Sequence, residues 1–215
     1  MNESRITWKL WDVYQIQQLM SRYEYYHAGG LHRECIGLFS KREDVSVEIA
    51  NLGIFDGQAG LQRFFIGANE FAELTNGRTG HMHLHTLTTP VIEVAGDRKT
   101  AQAVWYSPGC ESAPGMMPDS WCWVKYGVDF IQDEDGWHMW HFHMYRIFTI
   151  DYDKSWAEGK YEDARFLPEH ARPDRPNSYR WEYSRESEFE NVPAPPVPYE
   201  TWNDDMAYVP VKKEN

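Results

Sequence analysis

One stretch constrains the fold more than any other. Trp121 to Asp151 reads WCWVKYGVDFIQDEDGWHMWHFHMYRIFTID. Two long runs rich in aromatic and β-branched residues flank Asp133-Glu134-Asp135-Gly136, and Asp-Gly between such runs predicts a hairpin, because Gly supplies the positive φ that the turn needs. With a period of two, Cys122, Val124, Tyr126, Val128 and Phe130 share one face of the first strand. Trp137, Met139, His141, His143 and Tyr145 share a face of the second, and Trp140, Phe142, Met144 and Phe148 line its other side. A strand apolar on one side and carrying His and Tyr on the other predicts a sheet that buries a core and also walls a pocket.

The remaining elements follow from periodicity. Between Thr7 and about Gly29, Leu10, Val13, Tyr14, Ile16, Leu19, Met20, Tyr23 and Tyr26 recur at three- and four-residue steps, which predicts an amphipathic helix with Thr7 as a candidate N-cap. Leu31, Cys35, Leu38 and Phe39 give a second, short helix. Val45 to Ala50 alternates as a strand, and Asn51 to Gly57 reads as turn. A third helix over Gln58 to Leu74 turns Leu61, Phe64, Phe65, Ala68 and Phe71 inward. His81 to Thr88 predicts a strand, Val91–Ala95 and Thr100–Tyr106 a hairpin, and Ser107 to Ser120 a loop rich in Pro and Gly. The order of helix, helix, strand, helix and long strands predicts an α+β layer pair, with helices on one face of a curved, mostly antiparallel sheet. Residues 1–151 form this domain. Residues 152–215 hold eight of the twelve prolines between Pro168 and Pro210 together with Trp156, Trp181, Tyr183, Phe189, Tyr199, Trp202 and Tyr208. That content predicts an extended arm docked on the domain or on a neighbouring subunit, with Trp181 and Trp202 as anchors, rather than a disordered tail.

Charge and cysteine usage narrow the function classes. A net charge of −12 argues against nucleic acid and against anionic membrane surfaces. The chain shows neither an apolar run of about 18 residues nor a basic-then-apolar leader, so no span and no signal peptide are expected. Cys35, Cys110 and Cys122 are odd in number and form no CxxC, which suits reduced thiols in a cytoplasmic protein.

At this point the residues resemble a family. The helix–helix–strand–helix–strands order is similar to the cone-shaped α+β barrel of the nuclear transport factor 2-like superfamily, closest to its SnoaL-like and scytalone dehydratase-like branch. The segments that carry the resemblance are Arg22–Phe39, Phe55-Asp56-Gly57, His85-Thr86-Leu87-Thr88-Thr89-Pro90-Val91-Ile92-Glu93-Val94 and Gly136–His143. It covers roughly residues 8–150. The resemblance implies a homo-oligomer, dimer or trimer, that needs neither metal nor cofactor. The branch's helix Tyr falls on Tyr26 and its strand His on His85. The adjacent Asp falls on His27 or, one residue further, Ala28, so no Asp stands in either place, and a His–Asp dyad is not expected by that route.

The candidate chemistry centres on His85 as a general acid/base, since a neutral imidazole can take an acidic C–H proton and its charged form can protonate a leaving hydroxyl. Tyr26 and Tyr23 are placed to polarise a carbonyl by donating a hydrogen bond. His27 is a candidate relay to His85, and Tyr126 and His143 are further catalytic candidates on the cavity wall. Phe65, His83, Trp105, Trp123 and His141 are candidate substrate-binding residues. Asp129 is another, although a regular strand puts it opposite Tyr126 unless Gly127 marks a bulge. His81, His83 and His85 alternate on one strand and His141 and His143 on another. Such a cluster could hold a metal, but no Asp or Glu stands at a useful spacing and no metal ligand is assigned. The expected activity is that of a cofactor-independent lyase or isomerase, dehydratase-like, on a hydrophobic aromatic, polyketide-like or steroid-like hydroxy-ketone. A non-catalytic binding or assembly module of the same fold, and a His-rich metal-dependent enzyme, are the alternatives.

Overall fold

The computed structural model describes residues 3–114, 117–158 and 167–212. Helix α1, Glu3–Ala28, buries Ile16, Leu19, Met20 and Tyr23, the stripe that the three- and four-residue spacing requires. Thr7 lies inside this helix instead of capping it. At its end Gly30 takes φ +64°, and the Leu31 N–H returns to the Tyr26 carbonyl at 2.8 Å, a stop that a left-handed glycine makes easy. Helix α2 is short, His32–Ile36. Strand β1, Ser46–Ile49, pairs with β2, Gly53–Asp56, so the segment read as turn is half strand. The third helical run starts as α3, Gly57–Leu61, widens into π-type turns over Gln62–Glu70, and ends as α4, Phe71–Asn76.

The sheet is α+β in its setting, mixed and open. It runs β2-β1-β7-β6-β5-β3, with β4 also on β5, and every pairing is antiparallel except β1 with β7. Strand β3 is Met82–His85 and β4 is Thr88–Val94, so the expected single strand breaks at Thr86–Leu87. Strand β5, Thr100–Ala113, and β6, Met117–Asp133, run straight through most of the segment read as a Pro- and Gly-rich loop. The physical reason lies at Pro108. Its carbonyl accepts from the Thr86 N–H at 3.1 Å and Oγ1 at 2.9 Å. A residue's N–H and C=O point the same way in an antiparallel ladder. The donor that proline lacks therefore falls at the gap between β3 and β4, where no strand needs it.

Strand β7, Gly136–Asp151, closes the long hairpin on a two-residue turn, with Gly136 at φ +134°. Its register against β6 shifts twice. Asp129 faces His141 while Phe130 faces Met139, which makes Trp140 the extra residue of a bulge. The bulge splits the face that strict alternation predicts. Trp137, Met139 and Phe142 pack into the core with Tyr23, Phe39, Phe65 and Tyr126, under the helices. His141 and His143 turn to the opposite face.

That opposite face is covered by residues 167–212, which run without regular strands. Arg175 grips Asp56 with two bonds of 2.8 and 2.7 Å, and its carbonyl accepts from Ile54 N–H at 2.9 Å. Gly96 and Asp97 N–H groups donate to the Tyr199 and Glu200 carbonyls. Trp202 packs on Trp140 at 4.9 Å between ring centroids. Trp181 instead donates its indole N–H to the Glu188 carbonyl, within the arm itself. Among the described residues no helix is long and apolar enough to cross a membrane.

Candidate functional site

His85, Gly109 and Cys122 stand in one row across β3, β5 and β6. Gly109 is needed there. A Cβ at that position would lie 2.9 Å from His85 Nδ1 and 2.2 Å from the Leu84 carbonyl oxygen. Without it, the buried imidazole reaches over the strand until Nδ1 is 3.6 Å from Cys122 Sγ. Its other nitrogen, Nε2, is 2.9 Å from Glu111 Oε1. Glu111 pairs with His83 in the ladder and is two residues on from Gly109, so it lies on the same face. Helix α1 closes the group from above. Glu24 Oε1 accepts the His85 backbone N–H at 2.8 Å. The His27 ring stacks between Tyr23 (5.8 Å, 8°) and His85 (5.5 Å, 28°), and lies 5.7 Å from His83.

Burial and mutual charge set the protonation states. Burial opposes the charged form of His85, but the Cys122 sulfur and the Glu111 carboxylate outweigh it and raise its pKa well above the usual imidazole range. Burial pushes the other way on Glu111, and the His85 contact overrides it, so that carboxylate stays ionised. Burial holds the Cys122 thiol up, and it remains a thiol. Burial raises Glu24 to about 7, against the opposing pull of His85 charge and of the backbone bond. Burial, helped by His85 and His83, lowers His27 to about 3, so its ring is neutral. Two buried atoms here have no hydrogen-bond partner, Glu24 Oε2 and His27 Nδ1. A carboxyl poised near neutrality beside an imidazolium–carboxylate pair can exchange protons with a bound molecule.

The family model for the SnoaL-like domain matches residues 8–143. The chain belongs to the SnoaL-like family. Solved structures of similar fold include a candidate scytalone dehydratase of Novosphingobium aromaticivorans, with TM-score 0.56 and 16% identity over 68% of this chain and 91% of that one. Another, from the same organism, is a nuclear transport factor 2-like protein with a cystatin-like fold (TM-score 0.51, 19% identity, 71% and 89% covered). A third is a candidate dehydratase of the nuclear transport factor 2-like family from Streptomyces avermitilis (TM-score 0.50, 19% identity, 62% and 94% covered). At these identities the likeness is one of fold. Among curated proteins, none matches the chain.

This SnoaL-like chain brings some of the sequence candidates together and separates others. His85, His27, His83 and Tyr23 form one group. Tyr26 is half-buried and packs against the core. Tyr126 and Phe65 are buried in ring contacts with Tyr23, and Trp105 packs on Phe130. These rings pack together in the core under α1. His143, His141 and Asp129 lie on the far face and take no part in the group around His85. His143 Nδ1 is 2.8 Å from the Tyr208 carbonyl and 3.4 Å from Glu48. Asp129 lies 3.1 Å from His141 Nδ1 and accepts the Tyr208 N–H at 2.9 Å and the Gln102 amide at 2.8 Å. The bulge at Trp140 and the arm account for both placements. Trp123, 42% exposed, lines a cavity of about 540 Å³ with Trp121, Phe148 and Trp156. Gly109 and Cys122 belong to this cavity's wall as well as to the surroundings of His85. Sequence reasoning missed Glu24, Glu111 and Cys122. Glu24 carried a usable signal, for it stands three residues before His27 and so shares its helix face.

Proposed function

We propose that the chain is an acid–base lyase or isomerase that needs no cofactor for its chemistry. Its substrate would be a small hydrophobic hydroxy-ketone of the aromatic, polyketide-like or steroid-like kind. Glu24 takes a proton from the carbon beside the carbonyl. The His85–Glu111 pair stabilises the negative charge that develops on oxygen and supplies the proton to a departing hydroxyl or to the migrating double bond. The His85 proton at Nδ1 is the one free to move, because its partner is a sulfur at 3.6 Å, a weak acceptor. His27, neutral and with Nδ1 unbonded, orients the oxygen. The observation that carries this reading is the buried Glu24 Oε2, which has no partner of its own beside a His85 already paired with Glu111. The family's fold supports the class of reaction and leaves the substrate open.

The test is turnover of a panel of aromatic and polyketide hydroxy-ketones, followed by loss of water or by a shift in absorbance. Glu24→Gln and His85→Ala should each lower kcat by about 10²–10⁴. Equal rates in wild type and both variants on a substrate that is turned over would overturn the assignment. A second reading, non-catalytic binding of a hydrophobic small molecule, is favoured by the aromatic cavity, which Glu24, His27 and Glu111 do not line. Saturable quenching of tryptophan fluorescence that is lost in Trp123→Ala, with no turnover of any panel member, would favour that reading.

A further inference from the structure

His81 and Glu73 lie beside the acid–base group and meet it at His83, which none of the proposed proton transfers uses. The ligand atoms of the three all come within 4.8 Å of one another. His81 and His83 are two residues apart and project to the same side, with rings 6.2 Å apart at 71°. Glu73, buried at the end of the third helical run, reaches them from above the sheet.

The polar accounting of this group does not close. Both ring nitrogens of His81 are buried and have no hydrogen-bond partner among the described residues. An imidazole always carries at least one donor, so a ring buried in this way needs a partner that the described side chains do not supply. Glu73, by contrast, is fixed. His32 Nε2 lies 2.9 Å from one of its oxygens and Arg78 Nε 3.1 Å from the other. Each carboxylate oxygen keeps a second lone pair after such a bond. Outer partners of this kind hold a metal-ligating carboxylate in place.

We propose that His81, His83 and Glu73 form a binding site for a divalent transition-metal ion of the zinc type. Two imidazoles and one carboxylate are a donor set that zinc accepts, and three protein ligands leave a coordination position open for water or a ligand. Ligand atoms around tetrahedral zinc stand roughly 3.4 Å apart, so side-chain adjustments of about an ångström close the set. The ligand atoms of a second triad, His83, His85 and Glu111, also lie within 4.8 Å of one another. There the His85 and Glu111 atoms already satisfy each other at 2.9 Å, whereas neither ring nitrogen of His81 has a hydrogen-bond partner among the described residues. The unmet demand therefore selects the outer triad. Arg78, 55% exposed at its side chain, also touches Glu73, and its length lets it keep that bond from the solvent side. This site does not rest on the acid–base reading, and its test is a binding measurement.

The experiment uses the full chain without any affinity tag, stripped by chelator dialysis and titrated with Zn²⁺ in a calorimeter, with metal content measured in parallel. One ion per chain is expected, with Kd on the order of 1 µM or tighter. His81→Gln and Glu73→Gln, each checked for an unchanged near-ultraviolet circular dichroism spectrum, should weaken it about tenfold or more. His138→Gln, at the far hairpin turn, should not. Binding weaker than about 100 µM, or binding of the same strength in both ligand variants, would overturn the proposal. Should His81→Gln fail to fold, Glu73→Gln alone decides it.

Discussion

Glu24 sits in a half-open burial that costs it ionisation. Its folded pKa of about 7 lies above the ordinary value of 4.5. The folded state therefore holds this proton more tightly than the unfolded chain does. Stability falls as pH rises from about 4.5 through 7, and the full cost is present above that range. Glu24→Gln removes the cost, so the variant should be the more stable protein near pH 8 by about 1–3 kcal/mol. The difference should shrink toward pH 4, and thermal melting at the two pH values measures it. On the proposed function the rate should rise through about pH 7 as Glu24 ionises, and that limb should vanish in Glu24→Gln. At this scale the sequence was partly legible. Strand alternation picked out His83 and helix spacing Tyr23, while His85 and His27 were placed through the resemblance to the family. Their carboxylate partners were not. Glu111 lay in a stretch whose prolines and glycines read as loop, and the register that sets it beside His83 is a tertiary fact. Attention to positions 26 to 28 of α1 passed over Glu24, although the helix period put it on the face of His27.

At the scale of elements, the row His85–Gly109–Cys122 joins three strands through one missing side chain. Gly109→Ala would press a methyl against the Leu84 carbonyl and the His85 ring. The change should lower stability by about 1–3 kcal/mol and move His85 off its partners. Melting temperature and the intensity of His85 ring signals in NMR check this. A stable variant with unshifted signals would show that β3 yields easily. The hairpin from Trp121 to Asp151 was legible because aromatic and β-branched residues run on both sides of Asp-Gly. The extension of β5 and β6 beyond Ser107 was not, because proline usually ends a strand. Here its missing donor meets the gap between β3 and β4. Nor could the faces of β7 be assigned by counting, since one bulge residue, Trp140, turns His141 and His143 away from the side on which alternation places them.

For the whole molecule, the arm solves a polar problem on the outer face. Glu48 is fully buried, and it is Ser178 N–H (2.7 Å), Ser178 Oγ (2.6 Å) and Asn177 (3.2 Å) that donate to it. Asp129, equally buried, takes the Tyr208 N–H. A chain cut after Asp153 would leave both carboxylates without these donors. Bonds to a charged group are worth about 1.5–3 kcal/mol each, so the truncated chain should melt well below the full one. Ser178→Ala should show a smaller loss of the same kind. Unchanged melting after truncation, measured by differential scanning calorimetry, would show that the arm contributes nothing to stability. The aromatic content of residues 152–215 signalled packing, but their order on the sheet depends on side-chain pairings, such as Arg175 with Asp56, that no periodic pattern announces.

The arm also imposes a timetable. Ser178 and Tyr208 follow β7 in the chain, so a ribosome delivers the sheet before it delivers the groups that cover Glu48 and Asp129. At ordinary elongation speeds the interval between Asp151 and Tyr208 is roughly 3–11 s. Through that time the nascent sheet carries two carboxylates short of their arm donors and an uncovered aromatic face, and it reaches its full complement of bonds only when its last segment arrives.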